Sequence, residues 1–266
     1  MKIDGCTALI TGASAGIGRE FARQLAGRAG SVVIVARRRE RLEQLRNQLT
    51  KGNPNLNVRV YDVDLADKEQ VNALIDSLAR EKIEIDLLIN NAGLGDLGPF
   101  ATSDPERINE IIQVNMSALT LLTRKLLPPM IARKRGTILN VSSSAGFLPI
   151  PGFAVYAATK AYVTSFSEAL RSELRGTGVS VCALCPGPVH TEFNDVAQRP
   201  SEAGDRSPSF VYVPVEQVVR DALAAVKADR PLIIPGFLMK VGMFLVRMTP
   251  MSILRCAWRF SAKRGR

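Results

Sequence analysis

Tyr156 and Lys160 stand four residues apart in Tyr156-Ala157-Ala158-Thr159-Lys160. On a helix that spacing brings two side chains to one face, and this pair can do acid–base chemistry. A phenol titrates near 10 in its ordinary state, too high for easy proton exchange at neutral pH. A nearby ammonium favours the phenolate and lowers that value, so the pair reads as a tuned general acid and base. Alone, Y-x-x-x-K recurs by chance as surface decoration. Here Ser143 lies thirteen residues upstream, within Asn140-Val141-Ser142-Ser143-Ser144-Ala145-Gly146, just past an apolar run that reads as a strand. In open parallel sheets the reactive crevice lies outside such strand ends. Farther upstream, Asn115 interrupts the apolar Ile111-Ile112-Gln113-Val114-Asn115-Met116. On its own it reads as a helix-surface amide.

A second group of residues suits a phosphate-bearing ligand. Thr11-Gly12-Ala13-Ser14-Ala15-Gly16-Ile17-Gly18 follows one short apolar run and opens an amphipathic stretch. Glycines let the backbone turn tightly and approach a pyrophosphate, and the following helix presents free N–H groups and partial positive charge. A glycine-rich turn by itself is a weak signal. Between the first strand and first helix, with G-x-x-x-G-x-G spacing, it predicts a dinucleotide site. The next apolar run ends at Val35-Ala36 and meets Arg37-Arg38-Arg39. An acid near that end favours the ribose 2′-hydroxyl of NAD, and an arginine favours the 2′-phosphate of NADP(H). Ala36 holds the acid's place, Arg37 can fork onto phosphate oxygens, and Arg38 is the next candidate. Arg39 and Arg41 read as the solvated face of a helix.

These groups need a frame. Short, continuous apolar runs at 8–10, 32–35, 58–61, 87–89, 137–141, 179–184 and 232–234 alternate with helical patterns near 17–28, 39–50, 67–81, 105–132, 155–175 and 215–228. Continuous runs suit strands covered on both faces. Strand–helix alternation predicts an α/β fold: a Rossmann-type doubly wound parallel sheet of about seven strands with helices on both faces. The expected division is one catalytic domain over 1–235 and an apolar, basic helical extension over 236–266. Residues 192–214 are polar, carry three prolines, and read as a flexible substrate loop within the first part.

A chain of 266 residues can bury a core that needs neither disulfide nor metal. With 46% hydrophobic and 23% charged residues it has the balance of a soluble globular protein. The net charge of +10 suits an anionic ligand, a nucleic acid or an acidic membrane surface. No nucleic-acid-binding motif accompanies it, so no such partner is expected. Cys182 and Cys185 form a C-x-x-C in an apolar run, with no second pair and with His190 as the sole histidine. Zinc needs about four such ligands, so all four cysteines read as thiols of a reducing compartment and no metal is expected. The N-terminus lacks a signal-peptide core, and no run reaches the roughly 18 apolar residues of a membrane span. A cytoplasmic protein is expected.

Taken together, Thr11-Gly12-x-x-x-Gly16-Ile17-Gly18, Asn90-Asn91-Ala92-Gly93, Asn115, Ser143, Tyr156-x-x-x-Lys160 and Pro186-Gly187-x-Val189-x-Thr191 resemble the short-chain dehydrogenase/reductase pattern in order and spacing. The resemblance covers about residues 5–235. It implies an NADPH-dependent reductase of ketones, working reversibly on secondary alcohols. Tyr156 would donate a proton to the carbonyl oxygen. Lys160 would lower the Tyr156 pKa and bond the nicotinamide ribose. Ser143 would hold the substrate oxygen, the count to Tyr156 selecting it over Ser142 and Ser144. Asn115 would position a water behind Lys160. The cofactor site would comprise Gly12, Ser14, Ala15, Gly16, Ile17 and Gly18 of the turn and Arg37 and Arg38 after the second strand. Asn91, Ala92 and Gly93 would line the adenosine side. Asp64 with Leu65 would meet the adenine, in better register than Asp62. Pro186, Gly187, Val189 and Thr191 would meet the nicotinamide, beside Tyr156 and Lys160 themselves. A homodimer or homotetramer is implied.

The tail, Phe237 to Phe260 with its basic end, leaves three readings open: packing against its own domain or a sister subunit, a lid on an apolar substrate channel, or peripheral contact with an anionic membrane. Tail and motifs are more loosely similar to the branch holding 3-ketoacyl-CoA reductases and 17β-hydroxysteroid dehydrogenases, which implies a bulky apolar ketone. Phe147, Leu148, Phe153 and Phe193 are candidate pocket walls. The competing function is a non-catalytic NADPH-binding regulator or scaffold docking through the tail. The complete set of Asn115, Ser143, Tyr156 and Lys160 argues against it, since a scaffold needs no proton relay.

Overall fold

The computed structural model describes residues 3–199 and 212–255. Seven strands, β1 (Thr7–Thr11), β2 (Ser31–Ala36), β3 (Asn57–Asp62), β4 (Leu87–Asn90), β5 (Gly136–Val141), β6 (Val179–Leu184) and β7 (Leu232–Ile233), form one sheet in the order β3-β2-β1-β4-β5-β6-β7. Every pairing is parallel. The order reverses between β1 and β4, the switch point where such sheets open a crevice at their carboxyl ends.

Successive strand residues face opposite sides, and each side has its own apolar layer. Ile10 and Ile34 pack with Phe21 and Leu25 of α1 (Gly16–Leu25), Leu42 and Leu45 of α2 (Arg39–Gly52), and Val218 and Ala222 of α8 (Val215–Lys227). Leu9, Val33 and Ile138 pack with Leu74 of α3 (Lys68–Arg80), Leu122 and Met130 of α5 (Leu119–Ala132), and Leu170 of α6 (Ala154–Glu173). Coverage on both faces is why the strands read as unbroken apolar runs rather than alternating ones.

Two elements differ from the sequence expectation. The single helical stretch over 105–132 is instead α4 (Pro105–Ile112), a π turn over Gln113–Ala118, and α5. The wider turn swings Asn115 inward, against its reading as a surface amide; it is buried at 1% exposure. The loop expected over 192–214 begins as a short helix, α7 (Glu192–Ala197), capped by the Thr191 hydroxyl. The rest of that loop falls largely outside the described residues. The tail forms α9 (Phe237–Met248), and helix resumes at 251–255.

The first turn is bound to the strand beside it. The Thr11 hydroxyl accepts from the Asn91 and Ala92 N–H groups at 2.9 and 3.0 Å, and the Asn91 amide donates to the Thr11 carbonyl at 2.8 Å. Gly12 has φ +67°, and a Cβ there would lie 2.9 Å from Ala92 Cα. A Cβ on Gly18 would collide with the Gly12 carbonyl oxygen. Because that neighbour is backbone, it cannot rotate away. Gly18→Ala should therefore cost about 1–3 kcal/mol, as overpacked cores do. Urea unfolding reads it directly, and an unchanged midpoint would contradict this packing.

Candidate active site

α6 comes down on the turn after β5 with backbone nearly against backbone. A Cβ on Gly146 would lie 2.7 Å from the Lys160 carbonyl carbon. The Ser142 hydroxyl donates to that same carbonyl at 2.7 Å and is 2.7 Å from the Thr164 hydroxyl. Ser142 is thereby committed to structure. Ser143, one residue on, sits in extended backbone; its hydroxyl accepts from the Ala145 N–H at 3.1 Å and faces the cavity.

The helix places Tyr156 and Lys160 on its inner face, 8% and 4% exposed. Lys160 Nζ donates to the Val141 carbonyl at 2.8 Å and lies 5.6 Å from the centre of the Tyr156 ring. Phe153 stacks on that ring at 4.3 Å, and Phe193 of α7 approaches it at 5.2 Å. The electrostatic outcome reverses the sequence expectation of a lowered phenol. Burial pushes Tyr156 up to about 12, with the Ser143 hydroxyl pulling the other way. Burial also pushes Lys160 down to about 8. Removing both groups from water outweighs any help the ammonium gives the phenolate.

Asn115 stands behind this pair rather than on the cavity wall. Its amide grips Leu94 from both sides, accepting from the N–H at 2.8 Å and donating to the carbonyl at 3.0 Å, and it also donates to Thr159 of α6 at 3.0 Å. One side chain therefore ties the strand β4 exit to α6. A Cβ on Gly93 would be 3.3 Å from Lys160 Nζ and 3.5 Å from Asn115 Oδ1, so both polar groups converge there.

A single cavity of about 1370 Å³ joins this wall to the glycine turn. Gly12, Ser14, Ala15, Gly16 and Ile17 line one end, and Gly18 stays beneath them as packing. Ala15 caps the N-terminus of α1 with no side-chain hydrogen bond, and the first turn carries no acid. Its free N–H groups suit an anion. Arg37, Arg38, Asp64 and Leu65 line the same end, as do Asn91, Ala92 and Gly93. Arg37 lies 3.9 Å from Asp64. Asp62 is absent from the lining and pairs outside with Arg39 at 2.6 Å. Pro186, Gly187, Val189 and Thr191 line the opposite wall. A bare, N–H-rich cradle with arginines at its mouth fits a dinucleotide carrying an extra phosphate.

Sequence reasoning missed several residues here. Glu192 on α7 reaches back to Arg38 at 3.0 Å and Arg41 at 2.7 Å, while Arg38 also donates to Ser14 at 3.1 Å. Arg41 is thus part of a bridge across the cavity mouth, not merely a solvated helix face. Arg199 forks onto Asp96 at 2.8 and 2.6 Å, fastening the end of α7 to the loop after β4. Met239 and Met243 of α9 line the cavity, with Met239 against Gly187. Their i, i+4 spacing was the available signal. Of the expected pocket walls, Leu148, Phe153 and Phe193 line the cavity. Phe147 does not: its ring turns away, under the Arg247 guanidinium at 5.4 Å. Cys182 and Cys185 are buried, and burial pushes their thiols up to about 12 and about 11.

Residues 6–201 match the family model described as short chain dehydrogenase. The NADP-dependent 3-hydroxy acid dehydrogenase YdfG of Salmonella typhi is 39% identical over 190 residues, covering 71% of this chain and 75% of that protein. The first two curated relatives are matched over 62% and 75% of their own lengths. Among solved structures, a short-chain dehydrogenase from Sphingobium yanoikuyae in complex with NADPH is similar at TM-score 0.81 and 32% identity, over 98% of this chain and 94% of that one. The bulky-bulky ketone specific alcohol dehydrogenase from Comamonas testosteroni is similar at TM-score 0.76 and 31% identity, over 87% and 86%.

Lysine burial has a measurable signature. The folded pKa of Lys160, about 8, is below its ordinary 10.5. Below about 8 the fold bears the whole penalty of the buried charge, on the order of 3 kcal/mol. Between about 8 and 10.5 the unfolded chain keeps a proton the folded one has shed, so stability rises with pH. Lys160→Met removes that dependence. Urea unfolding of both proteins at pH 7.5 and 10 should show wild type gaining on the variant, and a pH-independent difference would refute the assignment.

Proposed function

The chain belongs to the short-chain dehydrogenase family, and on that premise we propose that it reduces a bulky, apolar ketone with NADPH, reversibly oxidising the alcohol. The observation that carries this reading is one continuous cavity with the Tyr156, Lys160 and Ser143 polar groups on one wall and the glycine cradle on another. NADPH, when bound, supplies the hydride. The chain's own residues supply position and a proton.

A carbonyl oxygen between Ser143 Oγ and Tyr156 Oη would accept from both hydroxyls. As negative charge builds on that oxygen, the Tyr156 proton moves to it and the Ser143 hydrogen bond strengthens. A phenol raised to about 12 is protonated at neutral pH, the state a proton donor to a carbonyl oxygen needs. Lys160, held by the Val141 carbonyl, keeps an ammonium proton near the phenol to stabilise the phenolate left behind. Asn115 holds the Leu94 backbone and Thr159 still while this occurs. Phe153 and Phe193 shield the phenol from water.

Cofactor choice rests on Arg37 and Arg38 at the end of β2, with Ala36 in the acid's place. Substrate class rests on Leu97, Leu148, Ile150, Phe153, Phe193 and Met239, an apolar chamber on the same cavity. The likeness to a bulky-bulky ketone specific enzyme supports it.

Tyr156→Phe should abolish turnover and leave NADPH binding intact, as read by ketone-dependent NADPH oxidation and by fluorescence titration; retained turnover would overturn the mechanism. Arg37→Ala should weaken NADPH about tenfold or more, the worth of a charge-assisted bond, with NADH unaffected. Glu192→Gln should do the reverse. It frees Arg38 and Arg41 from a half-exposed pair worth up to about 1 kcal/mol, so NADPH should bind roughly two- to fivefold tighter. Equal effects on both cofactors would refute the 2′-phosphate assignment.

A further inference from the structure

α9 is apolar on two sides. Met243 is buried and Met239 lines the cavity. On the other side Phe237, Leu238, Val241, Phe244, Leu245 and Met248 form one stripe at helical spacing, and all are exposed, Phe237 at 80% and Met248 at 70%. Met251 and Ile253 continue the exposed apolar surface past Pro250. Soluble proteins seldom leave so contiguous a patch bare without a use for it.

Charge identifies the occupant. Lys240, Arg247 and Arg255 are exposed along the same segment, and no ion pair engages them among the described residues. From residue 236 to the end the sequence holds no Asp or Glu, while Arg259, Lys263, Arg264 and Arg266 add to the positive charge. A second copy apposed on this face across a two-fold axis would bring cations against cations. An acidic lipid surface supplies the missing countercharge, and its acyl boundary accepts the stripe. Twelve residues reach only about 18 Å, too short to span a bilayer.

We propose that α9 lies in the plane of an anionic lipid bilayer, its outer stripe in the acyl boundary and its inner face closing the cavity. The helix that touches lipid is then the helix that walls the chamber. An apolar ligand would enter beside Met239 and Met243 without crossing bulk water. Docking itself does not depend on the redox reading.

The test is sedimentation of the full-length protein with extruded vesicles. Binding is expected to vesicles of phosphatidylcholine with 30% phosphatidylserine, about tenfold or more above binding to phosphatidylcholine alone, and it should weaken as salt rises. The double variant Phe244→Glu and Leu245→Glu should lose that binding. Neither residue touches the cavity, so its melting temperature and its NADPH-linked rate on a water-soluble ketone should match wild type. Wild type that stays in the supernatant with acidic vesicles at low salt would overturn the proposal. So would a wild-type dimer that the same double variant converts to monomer, since a second copy would then own the face.

Discussion

Helix α6 approaches the turn after β5 as closely as two backbones allow, and the site depends on that distance. Gly146 leaves room for the Lys160 carbonyl, and Ser142 and Thr164 close the contact with hydrogen bonds to it. A larger side chain at either contact would lift the helix. Tyr156, Lys160 and Ser143 would then lose their common wall, because two of them ride on the helix and the third on the turn. The parallel sheet determines where this happens. At the carboxyl ends of the strands, and there alone, the exits from β1 through β6 open on one crevice.

The same geometry makes the site a place of stored cost. Two titratable groups are held away from water, each pushed toward its neutral form. Proteins tolerate such groups where chemistry needs a proton held ready rather than solvated. Asn115 shows a comparable compromise in the backbone. The π turn breaks the regular helix ladder, and in return an amide reaches Leu94 and Thr159 and joins three elements. In the cavity mouth, the bridge from Glu192 to Arg38 and Arg41 couples the β2 end to α7. Charge that suits a phosphate is balanced meanwhile by the Glu192 carboxylate of α7.

Much of the frame is legible in the residues alone. Strand–helix alternation, the glycine turn between β1 and α1, and the four-residue step from Tyr156 to Lys160 are local patterns. Local sterics and helical periodicity determine them, so single-sequence reasoning reaches them. The choice of Asp64 over Asp62 comes from the family resemblance, and the structure puts Asp64 on the cavity and Asp62 outside.

Other features were decided by packing between distant segments. That Asn115 points inward rather than to solvent depends on a π turn that no residue type announces. Phe147 lies off the cavity, with Arg247, a hundred residues away, over its ring. The raised phenol depends on how deeply α6 and α7 bury it, which no pairwise spacing reports. Glu192 found its arginines, and Met239 its place against Gly187, only once the chain had closed on itself. The sequence by itself therefore determined the fold class and the placing of Tyr156 and Lys160 on one helix face, because both rest on short-range periodicity. Tertiary structure alone decided the protonation energetics, the cavity's walls and which face of α9 is buried, because those rest on burial and on contacts between residues far apart in the chain.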